Sequence, residues 1–173
     1  MFKNTIFRRM TALVLTLALA AAAALPGLAV YPMPIQTAKE TEAVCLFNAD
    51  TGKTILNQNA DQQQYVASLT KLMTALLLLE SGKDLNGEVT VPTALTQEFR
   101  DIQNANGTTM GLRIGETVRR IDLLNAMLIV SANDAASVIA YDVGGSVLDF
   151  VKQMNARAQE LGCTGTNFTC AHG

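Results

Sequence analysis

The sequence has no surplus of basic residues, since 13 Lys and Arg stand against 15 Asp and Glu for a net charge of -2. Nucleic-acid binders carry a basic excess that displaces phosphate counterions, so no nucleic-acid partner is expected. Histidine is nearly absent: His172 stands alone and no Cys-x-x-Cys spacing occurs, which removes the usual basis for a metal site. No metal and no cofactor are therefore expected. The three cysteines, Cys45, Cys163 and Cys170, are too few and odd in number for a disulfide scaffold. At most one internal pair can form. Cys163 with Cys170 is the local candidate, and the plainer alternative is that all three are small apolar fillers. Charged residues make up only 16% of the chain and hydrophobic ones 49%, which excludes intrinsic disorder. Internal repeats are also missing.

What is present begins with a targeting pattern. Lys3, Arg8 and Arg9 precede an uncharged run of Leu, Val, Ala and Thr from Met10 to Leu25, which Pro26 and Gly27 break. Gly27 and Ala29 are the small residues that a signal peptidase accepts. The run is shorter than the ~20 apolar residues that a bilayer crossing needs. Residues 1–29 are read as a cleaved secretory signal, the alternative being an uncleaved N-terminal anchor. Residues 30–41, with Pro32 and Pro34, are read as an extended linker, and residues 42–173 as the folded part. The signal carries basic residues and no acids, so the exported part is modestly acidic.

Within the folded part, Glu42 to Asn48, the turn Asp50-Thr51-Gly52-Lys53 and Thr54 to Asn57 predict a β-hairpin. A lone hairpin is marginal in water, so this one is expected to join a larger sheet or pack on helices. Leu69 to Glu80 predicts a helix ended by Ser81-Gly82, and Leu72, Met73 and Ala75 to Leu79 leave it almost no polar face. It is expected to be the central core helix, buried all round. A short strand, Glu88 to Val91, stops at Pro92, and a polar helical stretch runs from Thr93 to Ala105, followed by a loop from Asn106 to Thr109. Two apolar helices, Ile121 to Val130 and Asp134 to Val143, flank Ser131-Ala132-Asn133. Ser146 is placed to cap a last helix, Val147 to Leu161, and Gly162 to close it.

Two short motifs carry chemistry. Ser68 and Lys71 form S-x-x-K at the start of the apolar helix, and Ser131 and Asn133 form S-x-N at the break between two others. A Ser hydroxyl needs an adjacent base and a site that stabilises oxyanion charge before it can act as a nucleophile. A helix N-terminus brings free N–H groups and the positive end of the dipole to Ser68. Lys71 lies one helical turn on, on the same face. Burial among apolar side chains lowers a lysine pKa and frees the amine to accept a proton. The Ser131 hydroxyl can relay a proton, and the Asn133 amide can hold Lys71 or a substrate carbonyl. The plain alternatives are that Ser68 is an ordinary N-cap, that Lys71 is a snorkelling surface residue, and that Asn133 or Asp134 caps the next helix.

Ala67-Ser68-Leu69-Thr70-Lys71-Leu72-Met73-Thr74, Met110 to Glu116, Asp122-Leu123-Leu124 with Ala126-Met127-Leu128, and Val130-Ser131-Ala132-Asn133-Asp134-Ala135-Ala136 together resemble one family. It is the D-alanyl-D-alanine carboxypeptidases, the low-molecular-mass penicillin-binding proteins of serine peptidase family S11. The likeness extends to Asn48 to Lys53, to Thr166-Asn167-Phe168 and to His172-Gly173. It implies an α+β, β-lactamase/transpeptidase-like fold, an antiparallel sheet flanked by helices with a helical lobe beside it. It also implies an acyl-enzyme on Ser68, Lys71 as base, Ser131 as proton relay, and Asn133 as a substrate-binding residue that also contacts Lys71. The implied partners are peptidoglycan stem peptides ending in D-Ala-D-Ala, with β-lactam antibiotics as inhibitors. The implied place is the periplasm or the outer face of the cytoplasmic membrane, with peripheral attachment through a C-terminal amphipathic helix.

S-x-x-K and S-x-N are known signatures of penicillin-binding proteins and β-lactamases when joined by K-T-G. This sequence contains no K-T-G, and Cys170-Ala171 stand where the family usually has Asn-Pro before His-Gly. The expectation is therefore a C-terminally incomplete catalytic domain, inactive on its own, with His172 structural. Two other readings stand beside it. One is a serine β-lactamase, which needs a carboxylate for deacylation; beyond Gly145 only Asp149 and Glu160 are acidic, and both lie within the predicted helix. The other is a non-catalytic envelope binding protein of the same fold.

Overall fold

The computed structural model describes residues 42–173. The signal reading of residues 1–29 and the linker reading of residues 30–41 lie outside the described residues. The hairpin forms as β1 (Val44–Asn48) and β2 (Lys53–Gln58), antiparallel with Val44 opposite Gln58 and a bulge between Leu46 and Phe47. Its turn is held by the Asn48 carboxamide oxygen, which accepts the Thr51 N–H at 2.8 Å. Among the described residues it gains no third strand. Leu46, Phe47 and Ile55 accordingly remain 40%, 55% and 60% exposed.

A 3-10 turn, Ala67–Leu69, leads into α1 (Thr70–Glu80). Contrary to the expected all-round burial, α1 buries one stripe, Lys71, Thr74, Ala75 and Leu78, the i, i+3, i+4, i+7 positions of one helix face. Leu72 and Leu79 on other faces are 61% and 55% exposed, because the neighbouring helices pack on one side of α1 only. Uniform hydrophobicity said that the helix was apolar and could not say which side would be covered.

β3 (Glu88–Thr90) pairs antiparallel with β4 (Thr117–Arg119), with Val89 opposite Val118. The second of these strands has no sequence signature, since three residues with one apolar side chain display no alternation. Between them lies α2 (Thr96–Asn104), and after them come α3 (Arg120–Ile129), α4 (Asn133–Gly144) and α5 (Val147–Glu160). Helix α4 is the buried centre. Its Ala135, Ala136, Val138, Ile139 and Ala140 are at most 1% exposed, small enough to let α1, α3 and α5 approach closely. One core cluster joins Leu78, Leu123, Met127 and Ile139; a second joins Phe150, Met154 and Ala171. The expected caps are in place. Ser146 Oγ accepts the Asp149 N–H at 3.0 Å, and Gly162 follows α5 at φ 81°.

One ion pair fastens the frame. Arg120, opening α3, donates from Nε and Nη2 to both oxygens of Asp142 on α4, at 2.7 and 3.0 Å, with both side chains mostly buried. No helix of the described residues is long and apolar enough to cross a membrane.

Candidate active site

Two strained backbones bring the two motifs together. Ala67 (φ 47°) and Ser131 (φ 61°) occupy the left-handed region, which costs a non-glycine residue roughly 1–3 kcal/mol and is found most often at functional sites. The first sets Ser68 at the mouth of α1; the second turns the chain between α3 and α4 so that the Ser131 side chain meets Ser68. The Ser131 hydroxyl donates to Ser68 Oγ at 2.9 Å. Lys71 Nζ donates to the same oxygen at 3.2 Å and to the His172 carbonyl at 2.8 Å.

Lys71 is 2% exposed. Burial lowers its pKa from the ordinary lysine value, partly opposed by the negative charge of Cys170 nearby. The snorkelling alternative is thus not what the chain adopts. Nor is Ser68 a side-chain cap, since no such bond forms at the start of the 3-10 turn or of α1.

Ser68, Lys71 and Ser131 line one cleft of about 420 Å³ together with Val66, Leu69, Leu72, Met127 and Leu128. The walls are apolar and the polar atoms converge at one end, the usual make-up of a small-molecule site.

Asn133 begins α4, with its N–H donating to the Thr108 carbonyl at 2.8 Å. Its side-chain amide lies against Gly107, where a Cβ would stand 2.8 Å from Nδ2, so only glycine leaves the amide room. Lys71 hydrogen-bonds to Ser68 and to the His172 carbonyl rather than to Asn133. Three of the four sequence-predicted residues therefore form one bonded group, and the fourth stands apart from it.

Residues outside the predicted catalytic set complete the frame. Asp134 is 2% exposed, and its carboxylate accepts the N–H groups of Met110, Gly111 and Leu112 at 3.0 Å each, pinning that loop to the start of α4. Thr74 Oγ1 donates to the Ala171 carbonyl at 2.6 Å, fixing the segment whose next carbonyl holds Lys71. A Cβ on Gly173 would collide with the Ala67 carbonyl, so glycine there lets the same segment close over the turn before Ser68. The only available signal for Asp134 was an acid at the head of a buried helix; the carbonyl contacts have none.

The cysteines correct both readings made of them. Cys163 and Cys170 are free, so no disulfide joins them, and Cys45 and Cys163 are exposed rather than filling the core. Among the described residues no group of His, Cys, Asp and Glu could hold a metal.

The family model for D-alanyl-D-alanine carboxypeptidase matches residues 32–173. The chain belongs to the D-alanyl-D-alanine carboxypeptidase family. Within that family it is 33% identical over 136 residues to the carboxypeptidase DacF of Bacillus subtilis, covering 77% of this chain and 33% of the relative. It is 36% identical over 133 residues to the carboxypeptidase DacA of Haemophilus influenzae, covering 74% and 33%. This carboxypeptidase-family chain thus spans about a third of the length of these curated relatives. Among solved structures, penicillin binding protein 5 from Haemophilus influenzae matches with a TM-score of 0.60 at 35% identity, over 70% of this chain and 36% of that one. The carboxypeptidase-family fold is α+β and β-lactamase/transpeptidase-like, as the resemblance implied.

Proposed function

We propose that the protein is a serine-type D-Ala-D-Ala carboxypeptidase that removes the terminal D-Ala from peptidoglycan stem peptides through an acyl-enzyme on Ser68. The observation that carries this is the convergence of the Lys71 amine and the Ser131 hydroxyl on Ser68 Oγ at one end of an apolar cleft. Desolvated Lys71 holds a larger neutral share than a surface lysine, and its 3.2 Å approach lets Nζ take the Ser68 proton as Oγ attacks the scissile carbonyl. Collapse of the tetrahedral intermediate breaks the C–N bond. Ser131 passes a proton to the departing amine of D-Ala, and Lys71 resupplies it. Water then attacks the acyl ester, giving a proton to the Lys71 amine; the acyl C–O bond breaks and Lys71 returns the proton to Ser68 Oγ, restoring it. Asn133 lies one residue past Ala132 at the head of α4 and holds the acyl amide of the substrate.

β-Lactams acylate Ser68 by the same attack, as mimics of the dipeptide. The protein acts outside the cytoplasm, delivered by residues 1–29, and attaches peripherally to the membrane. The segment 1–173 is inactive alone, because its sequence contains no K-T-G to complete the catalytic motifs.

The test is release of D-Ala from a peptide ending in D-Ala-D-Ala by the full-length protein and by Lys71→Met. Release by the first, reduced at least 100-fold in the second, is expected. No release by the folded full-length protein moves the non-catalytic reading ahead. Rapid turnover of a chromogenic cephalosporin favours the β-lactamase reading instead.

A further inference from the structure

Beside the acylation cluster lies a second group of reactive side chains that the proposed reaction does not use. Cys170 sits in the segment after α5 that Thr74 and Lys71 hold by the carbonyls of Ala171 and His172. Its sulfur accepts the Gly173 N–H at 3.1 Å, and the His172 imidazole stands beside it. The imidazole also faces α2, where its Nε2 lies 3.4 Å from Glu98 Oε1. That carboxylate is itself oriented by the Ser137 hydroxyl, which donates to it at 3.0 Å. Lys71 is the other cation near the sulfur. A thiol, an imidazole and an orienting carboxylate in series is the arrangement that turns a cysteine into a nucleophile.

We infer that Cys170, with His172 and Glu98, forms a reactive-thiol site open to modification by hydroperoxides and by thiol-directed carbon electrophiles. With a hydroperoxide, the thiolate sulfur attacks the distal oxygen. An S–O bond forms, the O–O bond breaks, and its electron pair leaves on the departing oxygen, which takes a proton from the His172 imidazolium. The products are a sulfenic acid on Cys170 and water or an alcohol. Sulfur is oxidised by two electrons and the hydroperoxide is reduced by two.

The charges agree with the geometry. His172, and more weakly the Gly173 N–H, lower the Cys170 thiol to about 7, against the opposing effect of burial. The Cys170 sulfur and Glu98 raise His172 to about 9. Near neutrality about half of the Cys170 thiol is therefore thiolate, beside a His172 that is largely imidazolium. Cys45 and Cys163 serve as internal references, because they are exposed and the chain has no other histidine to pair with them.

The experiment is alkylation of the folded full-length protein by iodoacetamide, with each cysteine's rate read from its own peptide by mass spectrometry at pH 7 and pH 9.5. Accessibility cancels when the ratio of Cys170 to Cys163 is compared between the two pH values. That ratio is expected to fall about tenfold on going to pH 9.5. In His172→Gln the fall shrinks to within about twofold, and in Glu98→Gln, which keeps the imidazole, it is intermediate. Brief exposure to hydrogen peroxide followed by dimedone is expected to mark Cys170 before Cys45 or Cys163. A ratio that changes less than about threefold in the unaltered protein, an undiminished fall in His172→Gln or Glu98→Gln, or dimedone reaching Cys170 last overturns the inference. None of these readouts depends on acylation of Ser68, so the site stands or falls separately from the proposed activity.

Discussion

Thr74→Val replaces a hydroxyl with a methyl in the best-sealed part of the site. Thr74 and Ala171 are both 0% exposed, and the Thr74 hydroxyl donates to the Ala171 carbonyl at 2.6 Å. Valine keeps the shape and offers no donor, so the carbonyl is left buried without that partner, at a cost of ~1–3 kcal/mol. The added methyl in place of the hydroxyl returns up to ~0.8 kcal/mol through apolar burial. A net loss of about 1–2 kcal/mol is expected. With a urea m-value of ~2 kcal/mol/M, this appears as a midpoint lowered by about 0.5–1 M at unchanged slope. The next carbonyl in the chain, that of His172, accepts from Lys71, so loosening the segment also slows penicillin acylation. Thr74→Ser keeps the donor and loses only a methyl, so its acylation rate stays near that of the parent. A Val variant whose midpoint stays within about 0.2 M of the parent, or a Ser variant acylated as slowly as the Val variant, refutes the reasoning.

Three further outcomes follow from the same contacts. Ser131→Ala, which removes the hydroxyl 2.9 Å from Ser68 Oγ, is expected to lower the acylation rate ~100-fold or more with little loss of stability, measured by stopped-flow with a chromogenic β-lactam. Asp134→Asn leaves backbone donors at Met110, Gly111 and Leu112 facing an amide, and is expected to cost about 2 kcal/mol and to speed amide hydrogen exchange across that loop. Burial pushes the Asp142 carboxyl up, but Arg120, with Lys83, more than offsets this and holds it below the ordinary carboxylate range. Its contribution is therefore complete above the unfolded value, near 4, and is lost as pH falls through the lower folded value. The stability gap between the parent and Asp142→Asn, about 2 kcal/mol at pH 7, should close as pH falls below about 4; a gap that is constant with pH contradicts this assignment.

Much of the frame was legible because local chemistry set it. The turn residues around Gly52, the cap at Ser146 and the Gly162 stop each fixed one boundary within a residue or two. S-x-x-K at the head of an apolar helix implied the burial of Lys71, and hence its lowered pKa. What stayed hidden depends on where distant backbone arrives. The covered face of α1 depends on which helices reach it. The His172 carbonyl that holds Lys71 lies 101 positions along the chain and could come from any residue type. Asn133 shows the limit from the other side: its amide could hold Lys71 or a substrate carbonyl, and in the folded chain Lys71 bonds to Ser68 and the His172 carbonyl instead.

If Ser68 is the acylated nucleophile, a covalent penicillin adduct maps to it. The full-length protein is incubated with benzylpenicillin, digested, and its peptides are weighed. One penicilloyl group is expected, on the peptide containing Ser68, absent from Ser68→Ala and formed far more slowly in Lys71→Met. An adduct on any other residue, or an undiminished adduct in Ser68→Ala, contradicts it.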